Sequence, residues 1–500
     1  MRLGIDLGTT RTLVAAADRG NFPLIGFSNS SGDFSDHYPT TSAEVDGELV
    51  HGLDAEEAAL RGAPVLRSWK RLFSELRVHD GVRIGRVETT LQELATDFLQ
   101  ALRRDLLERS NLPRVPRDAV LEAVVSVPAN AHSAQRFATL EAFRDAGFSV
   151  RAILNEPSAA GIEYAHRHRE TITGRREHVA IYDLGGGTFD AALVLMSHDR
   201  HEVVASSGIA RLGGDDFDAI LLDLALERAE LDVTPSADER TALLIEARAV
   251  KETIGPNARR VMLELGALGE RAPARPVIVD VAAYFDRVAP LVERTLDVLE
   301  PVLASEAGES GLAGVCVVGG ASALPLIPRR LRERFGRRMH RSPHPAGSVA
   351  IGLAIAGTDE NAPEVQEVLT RHLGVFRERD SGAEISFDGI LPKGSALPRG
   401  SERLSVVRRY RAAHNIGHYR FVECGALDSA GGPAGDITPH AQVMFPFSPS
   451  LAERELRGEP IERLGNDGPL VEERYAVDAA GVVEVTITNL DDGYERRYVL

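Results

Sequence analysis

Two tight turns rich in glycine and threonine carry the clearest chemistry in the chain. The first reads Asp6-Leu7-Gly8-Thr9-Thr10; the second reads Asp183-Leu184-Gly185-Gly186-Gly187-Thr188-Phe189-Asp190. Such turns expose consecutive backbone N–H groups and so form an anion-binding concavity. Glycine lets the backbone approach a phosphate with no Cβ in the way. The first turn alone is weak evidence, because many hairpins contain one like it. Three successive glycines between apolar strands signal more, since they cost conformational entropy that a structural turn rarely requires. Each turn is led by an aspartate. Two such turns fit opposite walls of a phosphate cleft, with Asp6 and Asp183 holding a hydrated magnesium ion, which prefers carboxylates and retained water.

Lysine usage adds a second signal. Of 57 basic residues only three are lysine, namely Lys70, Lys251 and Lys393. Where arginine is preferred for plain charge, a surviving lysine is a suspect for work that a planar guanidinium cannot do, such as fitting between phosphates. Chance is the bland alternative, and Lys70 read alone is a surface lysine. Glu156, at a strand end before Pro157, could orient an attacking or metal-bound water. Read alone, it is an ordinary helix N-terminal acid. Gly319-Gly320, after a buried strand and before a helix, could receive an adenosine, but a lone Gly-Gly at such a joint is weak evidence.

The elements that must position these residues follow from apolar patterning. Short strands flank both glycine turns, and the recurrence of strand, Asp-Leu-Gly turn, threonine and strand suggests a duplicated α/β domain with a cleft between two lobes. Helical spacing covers 91–109, 133–146 and 238–254. Buried strands are expected at 123–127, 151–154 and 315–318, with a helix from Gly319-Gly320 through Phe335 and another near 347–357 closing the first domain. Residues 358–368 are polar and contain proline, which marks a linker. From 369 to 500, short apolar alternations punctuated by Gly, Pro and Ser read as an all-β domain. Met444-Phe445-Pro446-Phe447 reads as β-domain core before it reads as a peptide groove. The arginine run at 329–341 reads as the solvated face of a helix before an anionic patch.

The bulk numbers set limits. Five hundred residues exceed one ordinary domain. A hydrophobic content of 43% supports real cores, and a formal charge of −17 argues against general nucleic-acid or anionic-membrane binding. Two well-separated cysteines, Cys316 and Cys424, give neither a disulfide framework nor zinc spacing. The opening MRLGID has no basic-then-apolar leader, and no apolar stretch approaches membrane-span length, so a cytoplasmic location is expected.

Taken together, GIDLGTT, VSVPAN followed by AQR, ILNEPSAA, IYDLGGGTFD, LGGDDFD and VVGGAS resemble the heat shock protein 70 family, in that family's order and with similar spacing. ILPKGSALP and the segment from Glu473 to Val485 look like the opening and the last strands of its peptide-binding β-domain. The resemblance implies a duplicated actin/hexokinase-like (ribonuclease H-like) ATPase domain over 1–357, a linker at 358–368 and a β-sandwich over 369–500. It also implies ATP or ADP with Mg2+ and K+. Asp6 and Asp183 would place the metal and its waters, with Asp190 on the monovalent cation. Gly8, Thr9, Thr10, Gly185, Gly186, Gly187 and Thr188 would surround the phosphates, and Gly213, Gly214, Lys251, Gly319 and Gly320 the rest of the nucleotide. Lys70 matches the lysine that orients the attacking water, Glu156 the acid near the metal, and Pro128 with Arg136 the pair that couples nucleotide state to the second domain. Implied partners are unfolded or apolar peptide segments, a J-domain co-chaperone and a nucleotide-exchange factor.

Several positions depart from the family's pattern. Arg248 stands where an acid is usual beside the adenosine, Gly255 replaces a serine, Ala323 the arginine that stacks on adenine, and Ala346 an aspartate. Phosphate and metal contacts are kept while base contacts are stripped, which predicts weaker or less selective nucleotide binding. The linker Glu364-Val365-Gln366-Glu367-Val368-Leu369 is less apolar than usual, which predicts weaker coupling. Leu500 falls where a helical lid would begin, which implies a β-domain without one. Two readings remain open: an ATP-dependent chaperone, and a nucleotide-gated module holding one dedicated partner with slow or no hydrolysis.

Overall fold

The first glycine turn joins strands Arg2–Leu7 and Arg11–Ala16, and the second joins His178–Leu184 and Phe189–Met196. Both hairpins are almost wholly buried, which is why their sequences run apolar without alternation. The structure is a computed structural model describing residues 1–74, 80–113, 116, 119–129, 131–196, 200–209, 211–230, 234–304, 311–358, 364–465 and 467–500.

Each hairpin sits inside its own sheet. The first sheet runs Ser149–Asn155, Glu122–Val127, Arg2–Leu7, Arg11–Ala16, Tyr38–Pro39. The second runs Met339–Arg341, Leu312–Val318, His178–Leu184, Phe189–Met196, Arg200–Ile209, Glu364–Gln366. In both, the strand entering the glycine turn pairs antiparallel with the strand leaving it and parallel with a later strand, which pairs parallel with a fourth. Helices Glu156–Arg167 and Ser348–Ala356 pack on each other and on these sheets. A Cβ on Gly352 would strike the backbone of Ala159, so glycine is what permits that close approach.

The chain divides into two compact units, Met1–Ala129 with Glu141–Val365, and Asn130–Leu140 with Gln366–Leu500. The second unit holds two four-stranded antiparallel sheets. One is ordered Glu384–Leu391, His372–Arg379, Ile416–Leu427, Pro433–Pro446; the other is ordered Leu404–Arg411, Leu470–Val477, Val483–Asn489, Glu495–Val499. Val375, Phe421, Phe445 and Phe447 from the first sheet and its end share one core with Tyr475, Val485 and Ile487 from the second. Phe445 and Phe447 are therefore core. Toward one side the filling turns polar: Arg377 forms a forked pair with the fully buried Glu473 at 2.6 and 3.0 Å, and Tyr410 and Tyr475 donate to the same carboxylate.

Two expectations need adjustment. Gly319-Gly320 opens into a short 3-10 turn, Gly320–Ala323, and the helix proper begins at Leu326, after Pro325. The proline fixes φ and lacks an N–H, so it suits a helix start and not a helix interior. The helix Leu326–Phe335 buries Leu326, Ile327 and Leu331 and turns Arg330 and Arg334 to Glu293, Glu333 and Glu300, as a solvated face should. The polar segment expected as linker contains a strand, Glu364–Gln366, at the edge of the six-stranded sheet, whose last strand would otherwise leave its backbone groups unpaired. Residues 359–363 of that segment lie outside the described residues. Among the described residues, no helix is long and apolar enough to cross a membrane.

Candidate active site

Strand register decides which side chains meet at the turns. Asp183 and Asp190 face each other across the second hairpin, and Thr188 hydrogen-bonds Asp190. Asp6 is the penultimate residue of the first strand, where Ser126 of the neighbouring parallel strand donates to it at 2.9 Å. Glu156 follows the strand Ser149–Asn155 as the first residue of its helix, with Pro157 pre-set for the first turn. Lys70 rides on the 3-10 turn Trp69–Ser74, which is anchored by fully buried Trp69 against Phe98.

These elements bring four carboxylates and one ammonium into a single buried cluster. Asp6, Glu156, Asp183, Asp190 and Lys70 are each less than 10% exposed. Lys70 Nζ donates to Glu156 Oε1 at 3.0 Å. Burial, then Glu156, pushes the Asp6 carboxyl up to about 7, against the pull of Lys70 and Ser126. Asp190 is pushed up to about 7 by burial and Glu156. Burial, Glu156, Asp190 and Asp6 raise Asp183 well above the carboxylate range. Burial disfavours the charge on Lys70, but Glu156 and Asp6 outweigh it and hold its pKa up. With all groups ionised the cluster carries three uncompensated negative charges, an arrangement that calls for a cation. Among the described residues, no three such ligands stand close enough to grip a metal directly. The donor set, carboxylates with no thiolate or imidazole among them, fits a hydrated Mg2+ held through its waters.

The glycine turns close over this cluster. Gly185 N–H donates to Thr188 O at 3.0 Å, Gly214 N–H to Gly185 O at 3.0 Å and Asp215 N–H to Gly186 O at 2.8 Å. A Cβ on Gly186 would lie 2.5 Å from Thr10 Oγ1, one on Gly187 would lie 2.7 Å from Thr9 Cγ2, and one on Gly213 would lie 2.6 Å from Gly186 O. Gly8 is pressed against the Arg11 carbonyl. Gly319 has φ +84° and sits against Asp183 Oδ1, so a left-handed backbone and a close approach both demand glycine there. The first turn and the 213–214 turn thus both pack against the second turn.

Lys251 lies beside them on the helix Ala237–Glu252, donating to Gly214 O at 2.9 Å and standing 2.6 Å from Asp218. Arg248, one turn earlier, holds Asp218 at 3.0 Å and Asp215 at 2.6 Å. Gly319 N–H donates to Pro345 O, which draws Ala346 to within 3.9 Å of a Cβ on Gly320. Of the positions expected to be stripped of base contacts, Ala346 thus places only a methyl group there, and Ala323 ends the 3-10 turn with its methyl exposed. Arg136 belongs to the second unit, where it is buried and donates to Ala480 O at 3.3 Å. Pro128 follows the strand Glu122–Val127 and is half-buried.

Sequence reasoning missed Arg71, Ser126 and Asp218. Arg71 donates to Gly187 O at 2.8 Å and approaches Asp215 and Asp216 at 3.6 and 3.7 Å. Its adjacency to Lys70 was the available signal. Asp218 lies inside the LGGDDFD motif, but nothing in the spacing said that it would grip Lys251.

A family model described as Hsp70 protein matches residues 77–372. Two curated relatives, each named chaperone protein HscA homolog, come from Burkholderia mallei strains SAVP1 and NCTC 10229. Each is 30% identical over 534 aligned positions, covering all of this chain and 78% of the relative. With a family model matching more than half of the chain and relatives 30% identical across all of it, the protein belongs to the Hsp70 family of chaperones, whose members bind ATP.

Proposed function

We propose that the first unit binds ATP with Mg2+ and K+ between the two glycine turns and hydrolyses it, and that the second unit binds polypeptide segments under control of the nucleotide. The observation that carries this reading is the buried cluster of Asp6, Glu156, Asp183, Asp190 and Lys70 beneath the touching turns. The two corresponding sheets are read as two copies of one lobe, in the actin-like manner, with the cleft between them.

The metal ion, when bound, neutralises the charge that develops on the transferred phosphoryl group. The chain does the rest by positioning. Backbone N–H groups of Gly8 to Thr10 and Gly185 to Thr188 cradle the phosphates. Asp6 and Asp183 would hold the Mg2+ through its waters, and Asp190 would help hold the K+. Lys70, its ammonium fixed by Glu156 at 3.0 Å, holds the attacking water in line. On the base side Arg248 and Lys251 are already engaged by Asp215, Asp218 and Gly214, so base recognition is slack. Pro128 and Arg136 couple the nucleotide to the second unit. A J-domain partner, an exchange factor and a cytoplasmic setting complete the proposal.

A second reading, a module for one dedicated partner with slow or no hydrolysis, is favoured by the base side, where Arg248 and Lys251 are already tied up by Asp215, Asp218 and Gly214. The deciding experiment is steady-state hydrolysis of ATP and of GTP with Mg2+ and K+, with and without an apolar model peptide. Hydrolysis of both nucleotides, raised by peptide, is expected. Strong ATP preference would refute the slack base site, and hydrolysis indifferent to any peptide would favour the dedicated module.

A further inference from the structure

Away from the carboxylate cluster, two imidazoles meet where a helix end comes against a sheet edge. His168 directly follows the helix Glu156–Arg167, and its backbone N–H closes the last turn on Tyr164 O. His340 is the middle residue of the strand Met339–Arg341, at the edge of the six-stranded sheet. The two ring centres lie 5.1 Å apart, with the ring planes inclined at 49°. Buried Tyr164 forms a floor, its ring centre 4.8 Å from that of His168 and 5.6 Å from that of His340. The Tyr164 hydroxyl is tied to Thr171 at 3.0 Å, which fixes that floor. Gly314 on the neighbouring strand leaves the room. A Cβ there would lie 2.6 Å from the Tyr164 hydroxyl and 2.8 Å from His340 Cδ2.

Packing thus holds both rings in place while their nitrogens stay unused. Among the described residues, no ring nitrogen of His168 or His340 makes a hydrogen bond, and both residues are half-buried. Two imidazoles on one tetrahedral Zn2+, with Zn–N of about 2.0–2.1 Å, stand with their ring centres about 5 Å apart. We propose that His168 and His340 form a binding site for Zn2+, which clips the end of the helix to the sheet edge. Imidazole nitrogen selects a transition-metal ion over Mg2+ or Ca2+, which take oxygen ligands. Among the described residues, no third His, Cys, Asp or Glu stands close enough to join the pair, so water completes the coordination and the site is open. Arg167, the residue before His168, is paired with buried Glu163, which offsets its charge. The helix has 12 residues, and at about 1.5 Å per residue the site lies about 18 Å along it from Glu156. It is therefore separate from the carboxylate cluster and does not depend on the nucleotide reading.

The test titrates the full chain, stripped with chelator and kept in excess Mg2+ to occupy the carboxylates, with Zn2+ alone against a zinc-responsive dye. Wild type is compared with His168→Asn, His340→Asn and the double variant. Each single variant is expected to weaken zinc binding by at least about tenfold, and the double variant to add little more, as two ligands of one ion require. Zinc should raise the melting temperature of the wild type and leave that of the variants unchanged. X-ray absorption at the zinc edge of the loaded wild type reads the ligands directly and needs no variant to fold. It should show scattering from two imidazole rings. No zinc uptake by the wild type in Mg2+, equal uptake by wild type and variants, or an edge spectrum without imidazole would each overturn the site.

Discussion

Replacing Lys70 by alanine removes the cation that sits among four buried carboxylates. Its amine and Glu156 are 3.0 Å apart and only 8% and 11% exposed, so solvent screening rescues little. Breaking a buried pair from one side costs about 3–5 kcal/mol. Here the cost depends on pH. Asp6 and Asp190 have folded pKa values pushed up to about 7 from 3.8, so the folded chain retains protons that the unfolded chain releases between roughly pH 4 and 7. Nucleotide-free stability therefore falls as pH rises through that window and levels off above it. Lys70 lowers both pKa values, and its removal extends the window upward. At pH 6 the carboxyls are mostly protonated and the lost ammonium is partly replaced by protons. At pH 8 it is not. The penalty should be larger at pH 8 than at pH 6 by about 1–2 kcal/mol, one pKa unit being worth about 1.4 kcal/mol. Urea melts of wild type and Lys70→Ala at both pH values, without nucleotide, give this difference directly. Hydrolysis by the mutant should fall by about 10²–10³-fold. An equal penalty at both pH values, or a mutant that hydrolyses ATP at the wild-type rate, would show that the charge reasoning is wrong.

Other substitutions probe separate parts. Gly213→Ala drives a Cβ to 2.6 Å from the Gly186 carbonyl, and misplacement on that scale should cost about 10²-fold in kcat/KM for ATP. Arg377→Met should destabilise the second unit by about 3–5 kcal/mol by stranding Glu473, and Arg377→Met with Glu473→Leu should recover most of it in denaturant melts. Burial lowers His51 and His201 from 6.5 to about 4, with Arg104 adding to the effect at His51. The unfolded chain takes up those protons first as pH falls below 6.5, so each histidine removes up to about 1.4 kcal/mol per pH unit down to about pH 4. The slope should emerge in melts with Mg–ADP bound, which suppresses the opposing carboxylate effect, and should vanish in His51→Asn with His201→Asn.

The phosphate turns were legible because their chemistry is local: glycine is required wherever backbone packs on backbone, and that shows in one dimension. The strand–turn–strand echo likewise foreshadowed two sheets of matching order. Lys70 and Glu156 were not legible alone, since each looks like a common surface residue and only folding places them 3.0 Å apart. Family resemblance supplied what periodicity could not. Arg248 was marked as a departure, yet its grip on Asp215 and Asp218 depends on a helix thirty residues away and left no trace in spacing. The strand at Glu364–Gln366 escaped notice because its polar sequence has no strand pattern; the pairing comes from the sheet edge beside it.

The scarcity of lysine gives the molecule an unplanned use. Lys70 and Lys251 are each only 8% exposed, paired with buried Glu156 and Asp218, and Lys393 is partly covered in the second unit. An amine-directed acylating reagent therefore finds almost no lysine to modify while the lobes are together. Labelling of Lys70 and Lys251, followed by mass spectrometry, becomes a clock for cleft opening against a background of arginine that the reagent ignores.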